Sequence, residues 1–341
     1  SPNDPGVHIP HRVRWSASND PTLYYPAAPV LAASLAGFQD LNDAGEIRNI
    51  SGGAQPVILA KNHIYRATFE GGQTIFRFDR VQEDHGCLAG NTMVPFLGSV
   101  YYLSEDGWFR MGKDNSLTGI GNGKIDRFFF KDIDDLNLNR ISSFINAEQQ
   151  LILWAYPGPG SSGGDPNRVL VYNYAVEKWA VLQMDIDCLG TISTSGFTLD
   201  QLDQFGTLDT DLAGPMDDNF YKGGKITNGA VVAKKAASFG GGTTLAAQFI
   251  TGDLELSDTN LTYIQKVFPV VDATATNIKL QTGTVNTSQE TPILGNQLSL
   301  ESEGFFPTNS RGRFHRLRLD ISGEWTSAKA LDVKVKKLGL R

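Results

Sequence analysis

Between Pro95 and Phe130 the chain runs apolar, turns, runs back and turns again, and this rhythm constrains the fold more than any other feature. Val100, Tyr101, Tyr102 and Leu103 form the first run, Ser104-Glu105-Asp106-Gly107 the turn, and Trp108, Phe109, Arg110 and Met111 the return. Lys113-Asp114-Asn115-Ser116 then turns the chain once more. Two β-rich runs joined by a short Gly-containing turn read as a hairpin. Neighbouring segments repeat the unit, as the blades of a β-propeller or a related radial sheet assembly do.

Upstream, His11–Ser16 reads as a short strand and Asn19-Asp20-Pro21 as a turn. Ala27–Gln39 has the composition of a short helix bracketed by Pro29 and Gly37. Strands are expected over Gly45–Ile50 and Val57–Ala60. Asn62–Phe69 and Thr74–Val81 both alternate with period two across Gly71-Gly72, which predicts a hairpin. Downstream, Lys131–Asn139 reads as a polar loop and Leu151–Tyr156 as a strand. Pro157–Pro166 reads as a loop, and Arg168–Tyr174 with Lys178–Met184 as another hairpin. Asp185–Asp218 holds eight acidic residues and no Lys or Arg, and is expected to be an exposed connection. Further strands are expected at Ala230–Ala237, Leu245–Phe249, Leu261–Val271, Ile278–Gly283, Leu298–Glu301, Arg313–Ile321 and Ala330–Leu338. No stretch has the pattern of a three-turn amphipathic helix. The expected fold is all-β: a β-propeller-like body over 1–218 and a β-sandwich-like or closing-sheet module over 219–341.

The 341 residues leave room for two or three ordinary domains, or for one large radial domain and a smaller one, and 36 Gly with 15 Pro suit many tight turns. The net charge of −7 is uneven. Residues 1–259 hold 19 Lys and Arg against 30 Asp and Glu, whereas 260–341 hold 11 against 7. An acidic body argues against a tight grip on phosphate, yet is compatible with a surface past which nucleic acid slides, since like charge prevents sticking. Cys87 and Cys188 lack metal-ligand spacing, so two buried free thiols are expected ahead of one disulfide. No segment approaches the ~20 apolar residues of a membrane span. The N-terminus has no signal-peptide pattern, and a chain starting at Ser1 is expected to be processed or trimmed.

Few residue clusters carry chemistry. Gly119–Lys124 (GIGNGK) lacks phosphate-loop spacing, because Ile125 follows Lys124, and no helix is expected to follow. Asp132, Asp134 and Asp135, with Asn137 and Asn139, form an oxygen-rich run that is the weak candidate for a cation. That run contains no Gly, so a solvated loop is the default. Asp84-His85-Gly86-Cys87 sets an acid, a base and a thiol side by side, and reads first as a turn. Glu105-Asp106 and Asp217-Asp218 are carboxylate pairs of the type glycosidases recruit. Arg311, Arg313, Arg316 and Arg318 form a basic stretch suited to phosphate or to an acidic neighbouring subunit. None amounts to an active site, and no cofactor is expected.

Several motifs, in order, resemble tail structural proteins of bacteriophages. They are HRVRWSASNDPTLYYP from His11, NHIYRATFEGG from Asn62 with FRFDRV and Gly86-Cys87, and GSVYYLSEDGWFRM from Gly98. GIGNGKIDRFFFKDID from Gly119, ILWAYP from Ile152, NRVLVYNYAVEKWAVL from Asn167 and GRFHRLRLDI from Gly312 follow, with Trp325 and the closing LGLR. The group includes the packaged-DNA stabilisation proteins and tail nozzles or hubs of short-tailed phages, and the likeness spans most of 11–341.

The resemblance implies a non-enzymatic virion protein, assembled in the host cytoplasm as a hexameric ring around the DNA channel. Such a ring would retain packaged double-stranded DNA without sequence-specific binding. It would also dock portal or adaptor, other tail subunits, and fibres or a needle. On that reading Asp200, Asp203, Asp209 and Asp211 are candidates for the channel or an interface, as are Arg313, Arg316 and Arg318. The competing reading is a carbohydrate-binding or glycoside-hydrolysing propeller, with exposed Trp108, Trp154, Trp179 and Tyr25 stacking on sugars. An interaction propeller of the Gly-His/Trp-Asp type lacks its signature here.

Overall fold

The computed structural model describes residues 8–18, 20–24, 35–72, 74–193, 226–239, 246–257, 260–287, 290 and 292–338. The chain divides into two compact units, Ser1–Gly240 and Gly241–Arg341. The expected boundary at 218/219 lies outside the described residues. Both units are β-structured: a propeller-like stack of sheets followed by a sandwich.

Three four-stranded antiparallel meanders form the blades of the first unit. The first contains Ile47–Ile50, Val57–Ala60, Ile64–Phe69 and Phe76–Gln82. The second contains Val94–Phe96, Ser99–Ser104, Gly107–Met111 and Leu117–Gly119; the third, Ser142–Asn146, Leu151–Tyr156, Arg168–Asn173 and Lys178–Gln183. A three-stranded sheet of Cys188–Ser193, Ile226–Val232 and Lys235–Ser238 follows. Arg12–Trp15 and Gly37–Asp40 pair before the first blade.

A sheet covered on both faces needs strands that are apolar on both sides, and the second strand of each blade meets that need. VILA and SVYYLS are buried at every position, and LILWAY at all but its first. Alternation then sorts the side chains between neighbours. Val57 and Leu59 join Val100, Tyr102 and Met111 in one core, while Ile58 and Ala60 join Val13, Tyr65 and Ala67 in another. Tyr101, Leu103 and Trp108 face Ile152, Trp154 and Tyr156 in the largest core. Leu153 and Ala155 turn the other way, to Leu189 and Ala230. Polar ties also cross the blades: buried Arg66 donates from Nε to Asn115 Oδ1 at 2.7 Å.

The hairpins expected at Asn62–Val81, Val100–Met111 and Arg168–Met184 are present, with strand ends shifted by a few residues. Five expectations need correction. Asp126–Asp132 is an α-helix, not the end of a β-unit, because Ile125, Phe129 and Ile133 recur every four residues and enter the largest core. Asp135–Arg140, expected as loop, is 3-10 helix. Ala230–Ala237 is two strands turning at Ala233 and Lys234, which have φ of 49° and 64°. A primed turn without Gly or Asn leaves no sequence mark. Part of the expected acidic connection, Cys188–Ser193, is a strand, and residues 194–218 lie outside the described residues. Gly37–Asp40 is likewise a strand rather than a helix end.

The second unit packs two sheets. One orders Ala247–Ile250, Phe314–Ile321, Ile278–Val285 and Leu298–Ser299, with Leu254–Glu255 also on Phe314–Ile321. The other orders Phe306–Gly312, Thr262–Ala273 and Trp325–Lys337. Ile264, Val267, Leu280, Phe306, Leu317 and Leu319 fill the space between them. The sequence pattern signals no strand at Phe306–Gly312, since its inward positions include Thr308, Ser310 and Gly312.

Ser310 and Thr262 set hydroxyls against His315, which is fully buried. Its Nε2 lies 2.7 Å from Thr262 Oγ1 and its Nδ1 3.0 Å from Ser310 Oγ. Burial pushes the imidazole below its ordinary value. The unfolded chain therefore binds this proton more readily, so stability is complete above about pH 6.5 and falls as pH drops below it. Thermal melts between pH 7 and 5 should show a falling midpoint for the wild type and a flatter profile for His315→Gln. Equal slopes would remove His315 from the account.

Candidate functional site

The oxygen-rich run does not converge. Asp132 Oδ2 accepts from the Tyr156 hydroxyl at 2.9 Å and sits 3.8 Å from Arg168 Nε. Asp134 caps the 3-10 turn, accepting from Leu136 N at 3.1 Å and Asn137 Nδ2 at 2.7 Å. Asp135 is exposed. Asp132 and Asp134 thus have separate work, and the described residues contain no group of three metal-ligating side chains.

A helix does follow Gly119–Lys124, contrary to expectation, but its first carboxylate is already engaged. Asp126 Oδ1 accepts from Trp108 N at 3.1 Å, and burial raises its pKa. Gly107 and Gly121 make room for it, because a Cβ at either position would overlap the Asp126 carboxylate. Lys124 Nζ lies 3.4 Å from Glu177 Oε2.

The acid, base and thiol of residues 84–87 diverge. His85 Nδ1 lies 3.2 Å from Asp106 Oδ2 and its ring packs 4.6 Å from Phe109. Cys87 is buried, donates to Ala89 O at 3.3 Å, and is pushed up to about 12 by burial. Cys188 is exposed, and both thiols are free, which corrects the expectation that both are buried. Because the thiolate is the reactive form, native protein should take up one equivalent of maleimide at neutral pH, on Cys188. Two equivalents without denaturant would show that the Cys87 core opens.

The tryptophans expected to meet sugars are interior. Trp108 and Trp154 are fully buried, with ring centroids 4.2 Å apart. Trp179 is half-buried, 5.9 Å from Trp154, and donates to Ile120 O at 3.1 Å. They pack one blade on the next. Tyr25, Asp217 and Asp218 lie outside the described residues, as do Asp200, Asp203, Asp209 and Asp211.

Three of the four arginines in the basic stretch are neutralised. Arg313 Nη2 meets Glu255 Oε1 at 2.8 Å, Arg316 Nη2 meets Asp253 Oδ1 at 2.8 Å, and Arg318 Nε meets Asp320 Oδ1 at 3.0 Å. The opposite sheet of the sandwich carries Arg311 of that stretch together with two cations that sequence reading passed over, Lys334 and Lys336. Arg311, Lys334 and Lys336 are exposed there, and none has an ion pair among the described residues. The alternation of Val333, Lys334, Val335 and Lys336 was the available signal.

No protein-family model matches the chain, and no curated protein matches it. Among solved structures, two of an exo-β-1,3-galactanase from Phanerochaete chrysosporium align at 10% identity and a TM-score of 0.22. One, with β-1,3-galactotriose, covers 89% of this chain and 87% of its own; the other, with galactose, covers 88% and 86%. A likeness at that TM-score carries no argument about activity.

Proposed function

We propose that the chain is a non-enzymatic structural subunit of a short-tailed phage tail, of the nozzle, hub or adaptor type. Copies form a ring around the channel, retain packaged DNA and dock neighbouring tail parts within the virion. The observation that carries this reading is where the resembling motifs fall. GSVYYLSEDGWFRM, GIGNGKIDRFFFKDID and ILWAYP supply Tyr101, Leu103, Trp108, Phe129, Trp154 and Tyr156 to one inter-blade core. Their aromatics are used for packing, as a load-transmitting part requires, and the candidate catalytic groups are dispersed.

Light scattering on the purified chain tests the reading, alongside a screen for glycan binding and hydrolysis. A single high-mass species of six chains with a silent screen is expected. A monomer that binds or cleaves a glycan would replace this reading with the carbohydrate-active one.

A further inference from the structure

We propose that the outer face of the three-stranded sheet in the second unit contacts the phosphate backbone of double-stranded nucleic acid, without sequence preference. The inference rests on the tail reading for its setting but on its own observations for its substance.

Strand register places the cations side by side. Tyr263 is flanked by Arg311 on one neighbour and Lys336 on the other. One step along, Lys266 pairs with Lys334. Adjacent strands lie about 4.8 Å apart, so these groups form one continuous positive patch. Lys266 is partly engaged, 4.0 Å from Glu303 Oε2 and 3.6 Å above the Phe305 ring. Arg311, Lys334 and Lys336 remain without a carboxylate among the described residues. Two acids lie in the paired rows, Asp332 beside Phe268 and Asp272 beside Ser327, and neither stands across from Arg311, Lys334 or Lys336.

The contrast with the other sheet of the same sandwich gives the patch its meaning. There, each of Arg313, Arg316 and Arg318 is held by a carboxylate at 3.0 Å or less. A surface that needed only solubility would tolerate the same pairing on both faces. Cations left open around an aromatic side chain suit a polyanion, whose phosphates supply the missing charges. The net charge of −7 does not oppose this, since exposed charges beyond about 10 Å are screened at 0.1 M salt.

Three open cations set the size of the effect. Neutralising three phosphates gives a slope of log K against log salt of about −2.7, or about 40-fold weaker binding from 50 to 200 mM salt. The test is fluorescence anisotropy of a labelled random-sequence DNA duplex with the full chain across that range.

The expected wild-type result is binding with about that slope. The double variant Lys334→Gln, Lys336→Gln should bind at least 10-fold more weakly at 50 mM salt, with a slope lower by about 2. Arg311→Gln should lower the slope by about 1, and Arg313→Gln on the other face should stay within about twofold of wild type. Unchanged thermal melts would exclude misfolding as the cause.

Absence of duplex binding at 50 mM salt would overturn the proposal, as would binding indifferent to the double variant. Equal competition by polyglutamate would overturn it in favour of an acidic protein partner. A chain that forms rings without binding duplex sinks this proposal alone. A chain that binds duplex but never assembles sinks the tail reading and spares the face.

Discussion

Trp154→Ala should lower the unfolding free energy of the blade stack by about 3–5 kcal/mol, the usual cost of deleting a buried tryptophan ring. Trp154 is fully buried among Trp108, Trp179 and the second-blade strands, so neighbours on three sides lose contacts together. Its Nε1 also donates to Thr92 O at 2.8 Å, a bond from the third blade to the turn before the second. That turn is braced by Thr92 itself, whose Oγ1 donates to Ala89 O and accepts from Leu103 N. Domain stability is typically about 5–15 kcal/mol, so the alanine variant should be largely unfolded by modest urea.

Two milder variants separate packing from hydrogen bonding. Trp154→Phe removes the bond to Thr92 and should cost about 1–2 kcal/mol more than Trp108→Phe. The reason is that Trp108 Nε1 has no hydrogen-bond partner among the described residues. Urea titration monitored by circular dichroism reads both differences. Equal losses would mean that the Thr92 bond contributes nothing to joining the blades.

Gly86→Ala is the second large effect, and it acts through backbone. A Cβ at residue 86 would overlap the carbonyl of Lys61 and crowd the carbonyl carbon of Asn62. Neither can rotate away as a side-chain tip would, and the next residue is pinned by Cys87 N donating to Ala60 O at 2.8 Å. Overpacking of this kind costs about 1–3 kcal/mol, and a backbone obstacle places it at the upper end. Gly52→Ala is the matched control, because a Cβ there meets nothing within 4 Å. The control should be neutral or stabilising by about 0.4–1 kcal/mol. A Gly86→Ala midpoint equal to that of Gly52→Ala would show that the 60–62 turn moves freely.

These positions also show what the sequence makes legible. Runs such as SVYYLS and LILWAY announce buried strands, and the turns between them announce hairpins, because both signals are local. The helix at Asp126–Asp132 was equally local: Ile125, Phe129 and Ile133 spell a helical face, but the surrounding β-rhythm masked it. The arginine stretch illustrates the other limit. Alternation shows that Arg316 points outward, yet its partner Asp253 arrives on the chain 63 residues earlier. Likewise, no pattern distinguishes a tryptophan offered to a ligand from one spent between blades. Trp108 and Trp154 belong to the second kind.

Electron microscopy of the purified chain, with class averages of any assembled species, tests the central proposal most directly. The expected result is a closed six-fold ring with a central opening wide enough for a nucleic-acid duplex. Isolated monomers at every protein concentration, or a closed assembly with no axial opening, would contradict it.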